Sequence, residues 1–258
     1  MGFECRHLCK VYKTRNGTIP ALEDVSFSAA EREFLCIVGP SGCGKTTLLK
    51  LIAGLLEPTS GQIIFRGELA DSQPRSALVF QEHGLFPWMT VLDNAAFGLE
   101  MQGINRRERY DRARAFIERV GLAAFASNYP HELSVGMRQR VAIARAFVTD
   151  PHVLLMDEPF GSLDAQTKLV LQEELLRIWK EHRKLVAYVT HDIEEAVLLA
   201  DRVLVMSGRP GRIRKEITIP LGRPRDLADR ERPEVTQIKW QIWKMLEDEV
   251  RKGLEIPT

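Results

Sequence analysis

Short runs of apolar residues recur along the chain at a spacing typical of an α/β protein. Each run is bounded by turn-forming residues, and several are unbroken, as in strands that are buried on both faces of a sheet. The runs that we predict to be strands cover residues 34–38, 77–80, 153–156, 185–189 and 202–206. Helical patterns lie between them, at residues 44–56, 134–148 and 165–184. Strands that alternate with helices predict an α/β fold with a mainly parallel sheet and helices on both faces.

Two regions interrupt this alternation. Residues 25–28 with their neighbours and residues 62–66 have the pattern of short antiparallel strands, which predicts an N-terminal antiparallel β subdomain. Residues 88–126 are mostly helical in pattern and carry their own charge clusters. We therefore expect a helical subdomain, inserted between two strands of the sheet at about residues 88–148.

A connector and a further helix follow the α/β region. Beyond Pro220 the chain contains Arg-Pro-Arg at residues 223–225, and an apolar helical period then begins at Val235. We expect one domain at residues 1–220 and a C-terminal connector with an amphipathic helix at residues 221–258. This helix either packs on its own domain, which we favour, or forms a dimer contact or regulatory element.

Composition limits the classes of protein to which the chain can belong. Its 258 residues are 45% hydrophobic and 28% charged, enough for a sizeable core, and the formal net charge of +1 argues against nucleic acid as a partner. The four cysteines form no CxxC pair, so neither a zinc site nor a disulfide framework is indicated. We see no signal peptide and no apolar run near the ~20 residues of a membrane helix. Any work at a membrane would then require docking onto another protein.

Residues 39–46 carry a pattern that binds phosphate groups. They read Gly-Pro-Ser-Gly-Cys-Gly-Lys-Thr, which matches G-x-x-x-x-G-K-[ST] in full. Glycines let backbone N–H groups approach phosphate oxygens, and a helix that starts near Gly44 points its positive end at the same anion. Lys45 supplies charge for the outer phosphates, and the Thr46 hydroxyl is a hard oxygen ligand for Mg²⁺. The predicted nucleotide-binding residues are Gly39, Pro40, Ser41, Gly42, Cys43, Gly44, Lys45, Thr46 and Thr47.

Two acidic residues follow the apolar run 153–156. Carboxylates at the carboxyl end of a parallel sheet point into the ligand crevice. Asp157 is placed to hold Mg²⁺, through water, and Glu158 can polarise the attacking water. An acidic strand end that merely faces solvent is the alternative, and the phosphate-binding pattern at residues 39–46 makes it the weaker one. Together the two motifs predict a P-loop NTPase (RecA-like) fold.

Further segments resemble the ABC ATPase family, in that family's order, over about residues 3–220. Residues 133–137, Leu-Ser-Val-Gly-Met, resemble the family's signature sequence, and the continuation 138–146 is also similar. The other matching positions are Gln81 for the Q-loop glutamine, residues 162–164 for the D-loop, His191 for the switch histidine and Tyr12 for the aromatic that stacks on adenine. Taken singly, Tyr12 could be a plain surface or core aromatic, and His191 a structural histidine.

The resemblance implies an ATPase that works as a head-to-tail dimer with ATP and Mg²⁺. Each ATP would lie between the phosphate loop of one chain and the signature segment of the other, where Ser134 and Gly136 contact the γ-phosphate. Glu158 would orient or activate water, His191 would contact the γ-phosphate, and Gln81 would sense the nucleotide and serve as a Mg²⁺ ligand. Asp164 would help to communicate across the dimer.

The signature segment departs from the family pattern at a position that bears on activity. The common sequence has two glycines, whereas Val135 stands in place of the first. A β-branched residue resists φ > 0, so either the backbone at Val135 is ordinary or the site is perturbed. Met137 replaces the frequent glutamine but is similar to one importer branch. Because Ser134, Gly136 and Glu158 are intact, we expect an active ATPase.

Three stretches are similar to the ATPases of nitrate, aliphatic sulfonate and taurine importers. They cover residues 81–94, 206–213 and 223–226. In that branch, two ATPase copies join two permease subunits on the cytoplasmic side of the cell membrane, and an external solute-binding protein delivers the solute. Residues 86–88, Phe-Pro-Trp, would lie beside the groove that receives a permease helix, or else pack inside the helical insertion.

The function that we predict is ATP hydrolysis coupled to import of a small solute of the nitrate, sulfonate or taurine type through a separate permease. A soluble ABC ATPase that acts on DNA or ribosomes is one alternative. Such proteins usually carry long coiled-coil insertions, zinc cysteines or paired ATPase domains, and the sequence has none of these patterns. A regulatory module that binds ATP with weak hydrolysis is another, against which Glu158 and His191 argue.

Overall fold

The computed structural model describes residues 1–15, 17–67, 73–81, 84–225 and 227–254, without the side chains of residues 227, 250 and 252–254. The strands are β1 (Gly2–Thr14), β2 (Gly17–Ala29), β3 (Phe34–Val38), β4 (Ser60–Arg66), β5 (Ser76–Val79), β6 (Val153–Asp157), β7 (Leu185–Thr190), β8 (Arg202–Met206) and β9 (Ile213–Thr218). The α-helices are α1 (Lys45–Ile52), α2 (Val91–Met101), α3 (Arg106–Arg119), α4 (Val135–Val148), α5 (Ala165–His182), α6 (Ile193–Leu199) and α7 (Pro233–Leu254). The chain divides into two compact units: a first unit of Met1–Gly67 with Leu185–Thr258, and a second unit of Glu68–Lys184.

An antiparallel sheet with the order β2-β1-β4 forms the N-terminal part of the first unit. Phe3 of β1 pairs with Ala29 on one side and with Phe65 on the other. The expected antiparallel β subdomain is therefore confirmed, with β2 much longer than the pattern at residues 25–28 indicated and β4 close to the predicted 62–66. The register shifts between Cys5 and Leu8 on the β2 side of β1 and between Arg6 and Cys9 on the β4 side, and these bulges break the two-residue period by which a sequence reveals a strand.

The first unit also contains strands in the order β7-β3-β8-β9. β3 runs parallel to β7 and to β8, and every residue of β3 and β7 is buried. The unbroken apolar runs follow from this burial, since a parallel strand that is covered on both faces has no polar side. β9 pairs antiparallel with β8 and is mostly exposed, which explains why its polar sequence gave no strand pattern. The α/β class with mainly parallel strands is confirmed.

In the second unit, β5 and β6 pair in parallel, and α2, α3 and α4 lie between them in the chain. The three helices pack on one another. Side chains cap the helices of this unit at their N-termini: Thr90 caps α2, Asn105 caps α3, Ser134 caps α4 and Asp164 caps α5. Each of these caps satisfies a backbone N–H that has no partner within its own helix.

The C-terminal helix α7 packs on α6 and β8 within the first unit. Its buried face carries Val235, Ile238, Ile242 and Leu246, as the helical period predicts. Trp240 and Trp243 lie on its exposed side. None of the helices formed by the described residues combines the length and apolar character needed to cross a membrane.

Candidate functional site

The phosphate-binding pattern forms a tight loop between β3 and α1. Gly42 and Gly44 have φ of 76° and 102°, a region that residues with a Cβ rarely adopt. Lys45 is only 6% exposed, and its Nζ donates hydrogen bonds to Gly39 O at 2.8 Å and to Pro40 O at 3.0 Å. The loop therefore curls around its own lysine, with the backbone N–H groups of the α1 N-terminus at its end.

Neighbouring segments press closely on this loop. A Cβ on Gly44 would lie 2.8 Å from Leu22 Cδ2, and a Cβ on Gly211 would lie 2.1 Å from Cys43 O. Gly211 is itself tied to β2, because its N–H donates to Ala21 O at 2.9 Å and its carbonyl accepts from Glu23 N–H at 3.0 Å. Sequence reasoning missed this contact, and its only signal was the Pro-Gly turn at residues 210–211.

Tyr12 and His191, both predicted from the family resemblance, belong to the first unit with the phosphate loop. The Tyr12 hydroxyl lies 3.2 Å from Thr47 Oγ1, and Lys10 Nζ lies 5.5 Å from the centre of the Tyr12 ring. His191 is exposed and follows the last residue of β7. Because Val38 pairs with Thr190, the phosphate loop and His191 leave the sheet side by side at the carboxyl ends of parallel strands.

A buried hydrogen-bond network lies next to His191 in the chain. The carboxylate of Glu195 accepts from the Tyr188 hydroxyl at 2.5 Å and from Thr190 Oγ1, and Asp192 N–H donates to Thr190 Oγ1 at 3.0 Å. Burial, reinforced by the charge of Glu195, raises the pKa of Tyr188 well above its ordinary value, so the hydroxyl stays a donor. Sequence reasoning missed the network, since an acidic residue in a helix is usually exposed.

In the second unit, Asp157 ends β6 and is buried, and Glu158 follows it. Glu158 has a φ of 45°, and its carbonyl accepts from Gly161 N–H at 3.0 Å. A non-glycine residue in this left-handed conformation is uncommon, and such residues cluster at active sites. Val79 pairs with Met156, so Gln81 and the two acids follow neighbouring strand ends at one edge.

The signature segment opens α4 with ordinary backbone geometry. Ser134 is the N-cap, and its Oγ accepts from Met137 N–H at 3.3 Å. Val135 and Gly136 both belong to α4, and neither has a positive φ. The backbone at Val135 is therefore the ordinary one of the two alternatives, and its side chain, 38% exposed, projects from the first turn without steric cost.

Gly136, the glycine that remains in the signature segment, packs closely against the start of α5. A Cβ on Gly136 would lie 3.1 Å from Thr167 Cγ2 in the first turn of α5. Asp164 caps that turn by accepting from Thr167 N–H at 3.0 Å, a hydrogen bond that lowers the pKa of the Asp164 carboxyl. Ser134, Gly136 and Asp164 thus line one open groove of about 640 Å³, in which an exposed helix N-terminus can receive an anion.

Three of the predicted residues carry oxygen donors suited to a divalent cation, one in the first unit and two in the second. They offer the exposed hydroxyl of Thr46, the carboxylate of Asp157 and the amide oxygen of Gln81. Oxygen donors of these kinds fit Mg²⁺, which prefers hard ligands. Glu82 and His83, which follow Gln81, lie outside the described residues.

The segment 86–88 is partly exposed and firmly held. Trp88 is 70% exposed, whereas Phe86 packs with its ring centre 4.7 Å from that of Phe97. Arg145 lies over the Phe86 ring at 5.7 Å. The buried amide of Asn94 accepts from Phe86 N–H at 2.8 Å and donates to its carbonyl at 3.1 Å. Phe86 is therefore half-buried against Phe97, whereas Trp88 faces outward.

Comparison with known proteins agrees with these motifs. The sequence model of the ABC transporter family matches residues 22–161. The chain is 48% identical to an uncharacterized ABC transporter ATP-binding protein of Methanocaldococcus jannaschii, and the match covers 96% of this chain and 92% of that protein. It is 49% identical to a nitrate import ATP-binding protein of Synechocystis sp., with 86% of this chain and 84% of that protein covered. It is 44% identical to an aliphatic sulfonates import ATP-binding protein of Bacillus cereus, with 87% of this chain and 89% of that protein covered.

A solved structure is similar as well: a dimeric ATP-binding cassette in a post-hydrolysis state, bound to ADP and phosphate. It matches with a TM-score of 0.75 and 31% identity, over 85% of this chain and 100% of that one. The chain therefore belongs to the ABC transporter family and is an ABC-type ATPase.

Proposed function

We propose that this ATPase powers an importer: it couples ATP binding and hydrolysis at a head-to-tail dimer interface to transport of a small solute by a separate membrane permease. The names of the nitrate and sulfonate import relatives support a solute of the nitrate, sulfonate or taurine class. The single observation that supports the dimer is the groove lined by Ser134, Gly136 and Asp164. The N-terminus of α4, which belongs to the signature segment, is exposed in this groove.

ATP binding belongs to residues 39–47 and Tyr12. The backbone N–H groups of the loop receive the phosphate oxygens, and Lys45, already oriented by two loop carbonyls, contributes its charge. The ring of Tyr12 stacks on adenine, since its hydroxyl is anchored at Thr47 and leaves the ring as the recognition surface.

Hydrolysis requires a water that attacks the γ-phosphate in line with the leaving oxygen. Glu158 accepts a hydrogen bond from that water and orients it, and the left-handed turn at Glu158 fixes the position of its backbone. His191 contacts the γ-phosphate from the strand next to the phosphate loop. Mg²⁺, held by Thr46, Asp157 and Gln81, would neutralise charge on the phosphate oxygens when bound. Gln81 also senses the nucleotide.

The partner subunit would complete each site. Ser134 and Gly136 of one chain contact the γ-phosphate that is bound to the other, and Asp164 communicates across the interface. The ordinary helical backbone at Val135 supports an intact signature, because the N–H groups at the start of α4 keep their helical directions.

Residues 1–220 form the ATPase domain with its helical subdomain at about 88–148, and residues 221–258 form the C-terminal connector and helix.

At the membrane, the chain would contact a separate permease. Trp88 is the exposed side chain that contacts a helix of the permease, and the ring of the half-buried Phe86 lies beside it, with the ring centres 5.5 Å apart. The chain would act at the cytoplasmic side of the cell membrane, and an external solute-binding protein would deliver the solute.

The test is Mg-ATP hydrolysis by the purified chain, with ATP-dependent dimerisation followed by light scattering. Wild type should turn ATP over, whereas Glu158→Gln should bind ATP, lose turnover and accumulate as a dimer. Glu118→Gln, a change of the same kind on the exposed face of α3, is the matched control and should behave as wild type.

A Glu158→Gln variant that hydrolyses ATP at the wild-type rate would contradict the role of Glu158. If ATP binds to Glu158→Gln but no dimer forms at any protein concentration, the shared site between two chains is refuted.

A further inference from the structure

Helix α6 begins two residues after His191 and has only seven residues. Helices this short are not stable by themselves, so tertiary contacts must hold α6 and the turn that carries His191. The residues from Glu195 to Leu199 are all buried. The contacts that fix α6 therefore also fix where the chain leaves β7.

The C-terminal end of α6 is capped by one buried arginine. Arg225 is 7% exposed, and its Nη1 donates to the carbonyls of Val197 at 3.2 Å, Leu198 at 3.2 Å and Ala200. The last carbonyls of a helix lack hydrogen-bond donors within the helix and form the negative end of its dipole. A guanidinium group supplies donors to these carbonyls and a positive charge beside the dipole. Burial lowers the pKa of Arg225 to about 10, which still leaves it charged at neutral pH.

A second arginine extends this cap to the strand before the phosphate loop. Arg223 donates from Nη2 to Leu199 O at 2.6 Å and from Nε to Asp201 Oδ1 at 2.7 Å. The other carboxylate oxygen of Asp201 accepts from Phe34 N–H at 2.9 Å. Arg223 and Arg225 belong to the stretch 223–226 that is similar to one importer branch, and its last residue, Asp226, lies outside the described residues.

The same C-terminal segment holds the other end of α6. Glu194, in the first turn, is 2.8 Å from Arg230 Nη2 and 3.0 Å from Lys239 Nζ. On the inner side, Glu195 bonds to Tyr188 and to Thr190, the residue directly before His191. α6 is thus bonded at its two ends to Arg223, Arg225, Arg230 and Lys239, and on its inner side to β7, the strand that ends directly before His191.

We propose that Arg223 and Arg225 are positioning residues for ATP hydrolysis: by capping α6 they hold His191 at the carboxyl end of β7. The inference rests on the proposed role of His191. Neither arginine touches the nucleotide in this scheme, so their loss should slow turnover and leave ATP affinity unchanged. A displacement of about 1 Å at a catalytic group can cost about a hundredfold in rate.

The test is a double-mutant cycle on the purified chain, with Arg225→Lys, His191→Ala and both together. Lysine keeps the charge but cannot reproduce the planar fork that reaches several carbonyls at once. Arg225→Lys should lower kcat about 10- to 100-fold with the Kd of a non-hydrolysable ATP analogue within twofold of wild type. In the His191→Ala background it should have no further effect, because coupled residues are not additive. Arg251→Lys, on α7 with its guanidinium 2.7 Å from Glu247, is the matched control.

Hydrogen–deuterium exchange provides a readout that does not depend on turnover. Amides 191–199 should exchange faster in Arg225→Lys than in Arg251→Lys, and those of β3 should not. If Arg225→Lys does not fold, Arg223→Lys enters the same cycle.

The outcomes separate the two proposals. A His191→Ala variant with wild-type turnover overturns the role of His191 and this inference with it. If His191→Ala is slow but the arginine variant reduces kcat equally in both backgrounds, or not at all, only the positioning role is overturned.

Discussion

Gly211→Ala should weaken ATP binding, because the new methyl group would enter the backbone of the phosphate loop. The added Cβ would lie 2.1 Å from Cys43 O, whereas a carbon–oxygen contact settles at about 3.3 Å, so one side must move by about 1.2 Å. Gly211 cannot give way easily, since its N–H and its carbonyl are both bonded to β2. The phosphate loop must move instead. Overpacking of this kind costs about 1–3 kcal/mol, which corresponds to about a 5- to 150-fold rise in the Kd for ATP if binding bears it all.

The assay is calorimetric titration of Mg-ATP into Gly211→Ala, with circular dichroism to confirm that the variant is folded. Gly222→Ala is the matched control, because a Cβ there meets nothing within 4 Å. A folded Gly211→Ala protein that binds ATP within twofold of wild type would show that the loop does not depend on this contact.

Two further predictions concern the surroundings of His191. Tyr188→Phe removes a donor from the buried Glu195 carboxylate and should lower the free energy of unfolding by about 1–3 kcal/mol, measured by urea denaturation. The hydrogen bond from Arg230 lowers the pKa of Glu194 below its ordinary 4.5, so this pairing stabilises the fold above pH 4.5 and the stabilisation is lost as the pH falls through the folded-state pKa. The stability difference between wild type and Glu194→Gln should therefore be constant near neutral pH and shrink below about pH 4.5.

Each of these two predictions has a result that contradicts it. An unchanged urea midpoint for Tyr188→Phe would mean that Glu195 finds another donor when the hydroxyl is removed. A stability difference for Glu194→Gln that does not change with pH between 3 and 7 would show that the carboxylate gains nothing from its pairing in the folded state.

Much of the fold and of the site follows from local sequence. The strands at 34–38 and 202–206 have the bounds that the sequence predicted, because residues 34–38 and 203–206 are buried on both faces and carry no polar side chain. The phosphate loop is local as well: its glycines, Lys45 and the start of α1 are neighbours in the chain. Their shape is therefore fixed by φ angles and by hydrogen bonds that span about one turn.

Other elements have no such local signal. β1 pairs with β2, the next strand in the chain, and with the more distant β4, and its bulges remove the alternation that would reveal it. α6 could not be recognised from seven residues whose stability lies elsewhere. The helix predicted at 44–56 ends at Ile52, where Gly54, with a φ of 72°, turns the chain.

The sequence by itself determined which residues bind phosphate, which acids follow a buried strand, and to which family the chain belongs, because each of these is written in short, contiguous patterns. Only the tertiary structure decided that Gly211 braces the phosphate loop, that Val135 lies in an ordinary helical turn, and that Arg225 caps α6. The physical reason is separation along the chain: Arg225 bonds to carbonyls 25 to 28 residues away, and Gly211 meets β2 nearly two hundred residues away. Contacts of that span depend on the packing of the whole unit.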